Sequence, residues 1–257
     1  MSSAKAAGRV DVDVTGKRLE QLGLVHAAEQ LPLLVGEAVK HEMSAHAFLD
    51  RLLDAEYGRR EERRIRTSLR LSGLPTGQTL GNFDFSFQPS IERSRIETLA
   101  TCQWIREHET VLIQGPPGVG KTHLSVSLGV KAVENGFSVA FYNLDDLLHA
   151  MKQDADTAPR RLRQKKYLKT ALLIVDEVGF QPLNPQEASL FFRLVSYRYQ
   201  KGATLITTNK AVKDWPEILA GDEVMATALL DRLLHHCHVL NIKGRLYRLR
   251  ELETMLK

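Results

Sequence analysis

TVLIQGPPGVGKTHLSVSLGVKAVE, residues 110–134, decides the fold. Thr110 to Gln114 make a short apolar run. A glycine-rich turn follows, then a helical stretch that opens at Lys121 and stops at Asn135-Gly136. Within the turn, Gly115, Pro116, Pro117, Gly118, Val119, Gly120, Lys121 and Thr122 satisfy G-x-x-x-x-G-K-[ST] at every fixed position. The glycines let successive backbone N–H groups turn inward and make an anion nest at a helix N-terminus. Lys121 is then expected on the β- and γ-phosphates, and the Thr122 hydroxyl on Mg²⁺. With His123 closing the segment, residues 115–123 are the expected site for ATP. A chance glycine turn is the bland alternative, and the strand before it and helix after it argue against that.

Outward from this motif the chain alternates strands and helices. Expected strands are residues 110–114, 138–142, 171–175, 203–207 and 239–242, with helices at 121–134, 144–152 and 185–200. Fully apolar strands separated by helices predict an α/β fold, a parallel five-stranded sheet covered on both faces. Residues 83, 85 and 87 are all phenylalanine and alternate as in a further strand, whose side chains are expected to pack.

Two of these strands end in polar groups. Leu172-Leu-Ile-Val is followed by Asp176-Glu177, and a buried strand ending in two carboxylates places them at the edge where open α/β sheets bind ligands. Asp176 is expected to hold magnesium through its water shell, so the metal set is Thr122 and Asp176. Glu177 is expected to polarise the attacking water as a general base. The alternative is a solvated acidic turn. Asn209 ends the strand Ala203-Thr-Leu-Ile-Thr-Thr208, where it can orient the lytic water or serve only as a turn former.

The N-terminal part reads differently. Residues 17–40 carry Leu19, Leu22, Leu24, Ala27, Ala28 and Leu31 at helical spacing, with an interruption expected at Pro32. Ser44 is the expected N-cap of a second helix, whose polar face is rich in arginine from Arg51 to Arg70. Gly73-Leu-Pro-Thr-Gly77 marks a linker. A small helical domain is expected over residues 1–75, for DNA or partner binding and self-association, and an ATPase domain over 76–257.

Composition bounds the function. With 43% hydrophobic and 26% charged residues, 257 residues suit one sizeable core plus a small accessory domain. No apolar run is long enough to span a bilayer and no secretory leader is apparent, so no membrane partner is expected. Two cysteines, Cys102 and Cys237, make no disulfide framework, and the cytoplasm is the expected location. The formal charge of +4 is unevenly spread. Between Met151 and Thr170 stand seven basic and two acidic residues. Lys152, Arg160, Arg161, Arg163, Lys165 and Lys166, with Lys169, are expected to meet DNA phosphates without reading sequence; a solvated helix face is the alternative. His235-His236-Cys237-His238 is not expected to bind metal, because adjacent side chains cannot all face one ion.

GPPGVGKTHL (115–124), LLIVDEVGF (172–180), TLITTNK (204–210) and LLDRLLHHCHVLNIKGRLYRLRE (229–251), in this order and spacing, resemble the IstB family. Those are ATPase helpers of insertion-sequence transposition, related to the DnaC helicase loaders and the DnaA initiator within the AAA+ class. The resemblance covers about residues 80–251. It implies an AAA+ sheet, a homo-oligomer with ATP-bridged interfaces on duplex DNA, a transposase as client, and a DNA-contacting helix in the basic interval. It also implies that Arg232 is an arginine finger for a neighbouring subunit and that Arg248 stands at the sensor-2 position on its own subunit's nucleotide. The fifteen residues after Ile242 are too few for the usual helical lid, so the lid is expected to be reduced or absent. Without the resemblance, each arginine reads as a surface salt bridge. Two other functions stay open: a DnaC-like helicase loader, and a DNA-binding scaffold with a regulatory nucleotide site that barely hydrolyses.

Overall fold

The computed structural model describes residues 12–244. The chain divides into two compact units between Thr67 and Ser68.

The first unit is helical: α1 (Val12–Gln21), α2 (Val25–Lys40) and most of α3 (Ala45–Ser72). The first helix stops at Gly23, not at Pro32. Gly23 takes φ +75°, and Gly23 N and Leu24 N donate to the carbonyls of Glu20 and Leu19, both at 2.8 Å, an αL closure that glycine accepts without a Cβ clash. Pro32 lies inside α2. It is exposed, so its missing N–H removes one helical bond on the solvent side, while Leu31 behind it is held in the core. That core is small. Ala27, Leu31 and Leu52 are buried, with Leu19, Leu24, Leu34, Val35 and Phe48 packed around them. Ser44 caps α3 as its residue type predicts, accepting from Ala47 N at 3.2 Å.

A buried carboxylate holds this small core together. Glu56 Oε2 accepts from His26 N (2.9 Å) and Ala27 N (3.0 Å) at the start of α2, and Arg60 Nε donates to Oε1 at 2.7 Å. The Ala27 N–H, with Arg60 beside it, holds the Glu56 carboxyl below the usual carboxylate range.

The second unit is the α/β body. Its strands are β1 (Thr110–Gln114), β2 (Val139–Asn143), β3 (Leu172–Val178), β4 (Ala203–Thr208) and β5 (Cys237–Asn241). They form one parallel sheet in the order β2-β3-β4-β1-β5. Its helices are α4 (Arg93–Ala100), α5 (Gln103–Arg106), α6 (Lys121–Glu134), α7 (Leu144–Gln153), α8 (Pro159–Leu162), α9 (Lys166–Lys169), α10 (Pro185–Arg198), α11 (Trp215–Ile218) and α12 (Glu223–Leu234). Strand alternation sorts the side chains onto two faces. Leu112, Ala140, Leu173, Val175 and Ile206 join one cluster with Leu147, Phe191, Trp215 and Leu229 from α7, α10, α11 and α12. On the other face α6 lies against the sheet so closely that a Cβ on Gly129 would meet Ile174 Cδ1 and Leu74 Cδ2 at 2.8 Å. Leu74 in this contact also explains why the unit begins at Ser68, earlier than the linker glycines suggest: the chain is seated on α6 before it reaches Gly77.

Two sequence expectations are corrected here. Residues 83–87 are not a strand. Leu80–Asn82 form a 3₁₀ turn, and Asp84 Oδ1 then accepts from the backbone N–H groups of Ser86 and Phe87, both at 3.1 Å, an Asx turn that competes with extended pairing. The acids Asp176 and Glu177 do not follow β3 but lie within it. Val175 pairs with Ile206 and Val178 with Thr208, so β3 carries one extra residue at this point, a β-bulge.

Candidate nucleotide site

The phosphate-binding loop is set by its glycines. Gly118 (φ +75°) and Gly120 (φ +97°) occupy the left-handed region. A Cβ on Gly115 would strike the carbonyl oxygen of Ile242, and one on Gly120 would sit 2.9 Å from Phe83 Cε2. Val119 is buried and pins the loop's crest. α6 starts at Lys121 directly behind the loop, so its unpaired N–H groups and positive dipole end face the space the loop encloses. Lys121 Nζ donates to the carbonyls of Gly115 and Pro116, both at 2.8 Å.

A cleft of about 630 Å³ opens on this loop. Residues 117–123 line one side; Gln78, Asn82 and Phe83 line another, and Glu177, Thr207 and Asn209 complete it. Beneath it, Asp176 is 2% exposed. Thr122 Oγ1 donates to Asp176 Oδ2 at 2.8 Å, and Thr207 Oγ1 donates to Oδ1. A buried carboxylate is costly unless its oxygens are satisfied, and these two hydroxyls satisfy both. Glu177 is exposed to the cleft with φ +61°. Asn209 lines the cleft, and its Oδ1 is buried with no hydrogen-bond partner among the described residues. Hard oxygen donors from Thr122 and Asp176, adjacent and preset, fit a magnesium ion that keeps part of its water shell.

The structure thus brings the loop residues, Asp176, Glu177 and Asn209 to one place. It also brings residues that the sequence pattern did not single out. Thr207 belongs to the polar end of β4, where the sequence pattern gives a role to Asn209 alone. Gln78 Oε1, like Asn209 Oδ1, is buried without a partner among the described residues. Asn82 takes part in a strap across the loop: His123 Nε2 lies 2.9 Å from Thr79 O and 3.0 Å from Asn82 Oδ1. Two acceptors require that this nitrogen carry the proton. Phe83 packs edge-on against the same imidazole, centroids 5.3 Å apart.

Arg232 is elsewhere. It lies on α12, does not line the cleft, donates from Nη1 to Ala228 O at 2.6 Å, and stacks over Phe192 with 5.1 Å to the ring centroid. Arg248 lies outside the described residues. The basic interval folds as two single turns, α8 and α9, not as one helix, and its charges are not equivalent. Lys152 Nζ pairs with Glu187 at 2.7 Å. Glu187 is at the same time the capping-box acid of α10, accepting from Asn184 N at 3.0 Å, and the Lys152 ammonium keeps its carboxyl below the usual range. Lys165 pairs with Asp154, which also accepts from Tyr167 Oη at 2.9 Å. Lys166 Nζ donates to Leu71 O at 2.9 Å. Arg160, Arg161 and Arg163 are exposed and have no carboxylate partner among the described residues. The expectation that the whole stretch offers free charge is corrected for Lys152 and Lys165, which meet Glu187 from outside the stretch and Asp154 from within it. The histidine run also forms no metal group among the described residues; His238 bonds to Glu109 at 2.7 Å instead.

A buried cation anchors the far end of the interval. Arg198 is 2% exposed and donates to the carbonyls of Tyr167 (3.2 Å), Thr170 (3.1 Å) and Ala203 (2.7 Å), with Thr204 Oγ1 at 3.3 Å. Burial pulls its pKa down to about 10.

A parallel five-stranded sheet, a phosphate loop between β1 and α6, and a buried acid within the last residues of β3 define a P-loop nucleotide-binding protein. Within that class the chain belongs to the family described as IstB-like ATP binding protein, which matches residues 17–254. It is 44% identical over 236 residues to the insertion sequence IS21 ATP-binding protein of Pseudomonas aeruginosa, covering 91% of this chain and 88% of that one. It is 39% identical over 231 residues to the corresponding protein of insertion sequence IS5376 from Geobacillus stearothermophilus, covering 90% and 92%. Among solved structures, the fold is similar to the DnaC helicase loader (TM-score 0.51, 21% identity, 68% of this chain and 98% of that one). It is similar also to AMPPCP-bound DnaA from Aquifex aeolicus (TM-score 0.55, 19% identity, 72% and 56%). No helix among the described residues is long and apolar enough to cross a membrane.

Proposed function

We propose that the cleft binds ATP with magnesium and hydrolyses it, and that the nucleotide state governs assembly of this chain on duplex DNA to serve the transposase of its own insertion sequence. The observation that carries the hydrolytic reading is the division between the two acids. Asp176 is buried and held by Thr122 and Thr207, whereas its neighbour Glu177 is exposed and lines the cleft. That division supports a metal-positioning role for Asp176 and a proton-accepting role for Glu177.

In this reading the loop N–H groups and Lys121 hold the β- and γ-phosphates. Thr122 and Asp176 would hold magnesium, which when bound would supply charge neutralisation at the phosphate oxygens. Glu177 takes a proton from the attacking water, and Asn209 orients that water through its amide oxygen or the γ-phosphate through its amide N–H groups. Arg232, remote from its own cleft, meets the γ-phosphate of a neighbouring subunit, and Arg248 acts on its own subunit's nucleotide. Arg160, Arg161 and Arg163 contact DNA phosphates, and the N-terminal helical domain, residues 1–75, carries partner contacts and self-association.

The test is a pair of variants. Lys121→Ala removes a ground-state phosphate contact and is expected to lose ATP binding. Glu177→Gln removes only a group that acts on the reacting water, so it should bind ATP as the parent does and lower kcat by about 10²–10⁴-fold. Hydrolysis unchanged in Glu177→Gln would refute the assignment of the base.

A further inference from the structure

We infer that Thr207 is a positioning residue for hydrolysis: its single hydroxyl bridges the two neighbouring acids and fixes the direction in which Glu177 enters the cleft. The inference rests on the reading of the cleft as a hydrolytic ATP site and deepens it.

The bulge in β3 creates the need for this hydroxyl. Where two strands pair regularly, each inward N–H finds a carbonyl across the ladder. Between Val175 and Val178 the register against β4 slips by one residue, so Glu177 N has no carbonyl on β4 to meet. Its partner is the Thr207 Oγ1 at 3.0 Å. The side chain of β4 thus supplies the acceptor that the displaced ladder withholds. Thr207 is 1% exposed at the floor of the cleft it lines.

The same oxygen has one hydrogen to give. The Asp176 carboxylate carries none, so the Thr207 O–H must point at Asp176 Oδ1. The donor and acceptor capacities of one hydroxyl are therefore divided between adjacent residues of β3. The φ of Glu177, +61°, is a conformation that side chains other than glycine rarely adopt. Such a conformation persists only where its surroundings impose it. The Glu177 N–H bond to Thr207 is the anchor beside that residue, and turning the chain there sends the Glu177 side chain into the cleft while Asp176, one residue earlier, stays buried.

A threonine in a buried β-strand has a bland explanation as well, since β-branched residues suit strands. Valine tests between the two: it keeps the shape and strand preference and deletes both bonds. Serine keeps the hydroxyl and deletes only the methyl.

The experiment measures kcat, the affinity for a fluorescent ATP analogue with and without Mg²⁺, and Tm for the parent, Thr207→Val and Thr207→Ser, each also in the Glu177→Gln background. Without Mg²⁺ we expect Thr207→Val to bind the analogue within about 3-fold of the parent, because loop and Lys121 contacts are untouched; with Mg²⁺ any change reports the donor that Asp176 loses. The variant's kcat should fall about 10- to 100-fold, part of what a positioned base supplies. Thr207→Ser should recover most of the rate, and Thr207→Val should cost little further in the Glu177→Gln background. Three results overturn the inference: a parental kcat in Thr207→Val, a serine variant as slow as the valine variant, or an equal loss from valine whether or not Glu177 is present. If Thr207→Val fails to fold, the serine variant and its Glu177→Gln partner still decide between hydroxyl and methyl. Parental hydrolysis that is indifferent to Glu177→Gln would instead sink the underlying reading of the base, whatever Thr207 does.

Discussion

The cleft and the basic interval both concentrate charge, and they treat it in opposite ways. In the cleft, the buried carboxylate of Asp176 is met by hydroxyls from Thr122 and Thr207, which satisfy it without neutralising it. In the interval, the cations Lys152 and Lys165 are met by the carboxylates of Glu187 and Asp154, which cancel their charge. A charge kept by neutral donors remains available to a metal or phosphate. A charge matched by its opposite has become part of the scaffold. Sequence alone makes the two regions look alike, as runs of ionisable residues beside apolar strands.

The sharpest test of that contrast concerns the cleft's missing cation. If Arg232 completes the site of a second copy, Arg232→Ala should bind ATP normally and hydrolyse about 10³-fold more slowly at any concentration, the scale of an arginine supplied in trans. Mixed with Lys121→Ala, it should regain part of its activity, since some interfaces then join an intact loop to an intact Arg232. Steady-state phosphate release from the mixture, with co-assembly followed by light scattering, decides it. A mixture that co-assembles and stays inactive removes Arg232 from the site.

Next in size is the division inside the basic interval. Reversing Arg160, Arg161 and Arg163 to glutamate should leave ATP affinity intact and weaken DNA binding at least about 10²-fold at low salt. Replacing the same three with alanine should flatten the dependence of log affinity on log salt by about 2.7, because three phosphates are then no longer neutralised. Lys152→Gln and Lys165→Gln should change DNA affinity by less than about 2-fold, because those ammonium groups already have carboxylate partners. Fluorescence anisotropy over a salt series separates the two sets. Equal effects from both would mean the ion pairs open on DNA.

The smallest effect belongs to the helical unit. The Glu56 pKa is depressed on folding, so its contribution is present above its ordinary value of 4.5 and is lost as pH falls through the lower folded value. Protection of the His26 and Ala27 amides against hydrogen exchange, after correction for intrinsic rates, should therefore decline below about pH 4.5. In Glu56→Gln it should be weaker and nearly independent of pH. A pH-dependent decline that survives in Glu56→Gln would assign it to another group.

Much of this architecture is legible in the sequence, for physical reasons. β1, the loop and α6 obey a local grammar: an apolar run, glycines where the backbone must take positive φ, and a helix that begins at the lysine. Asp176 and Glu177 stand out as acids closing a buried strand. What the sequence hides is set by partners distant along the chain. Glu187 reaches Lys152 across 35 positions, and Thr207 reaches Glu177 across 30; neither pairing leaves a periodic trace. A bulge adds a residue without changing composition, so the alternation in β3 could not reveal it. Pro32 misleads because a proline's cost depends on exposure, and exposure is decided by the packing of Leu31 and Leu52. The segment at residues 83–87 misleads because Asp84, a turn former, sits between the alternating rings.

Arg198 has a consequence for how this chain can vary. Its guanidinium grips main-chain carbonyls at Tyr167 and Thr170, so it holds the segment's backbone whatever side chains the segment bears. Asp154 secures the other end through Lys165 and Tyr167. Between these two clasps Leu162 packs against the core, while Arg160, Arg161, Arg163 and Gln164 are exposed and form an interchangeable cartridge. Those four side chains should accept exchange for others suited to a different surface while the frame that carries them stays the same. Arg198 itself does not share that freedom: even lysine in its place would bring one donor centre where a planar fork now serves several oxygens.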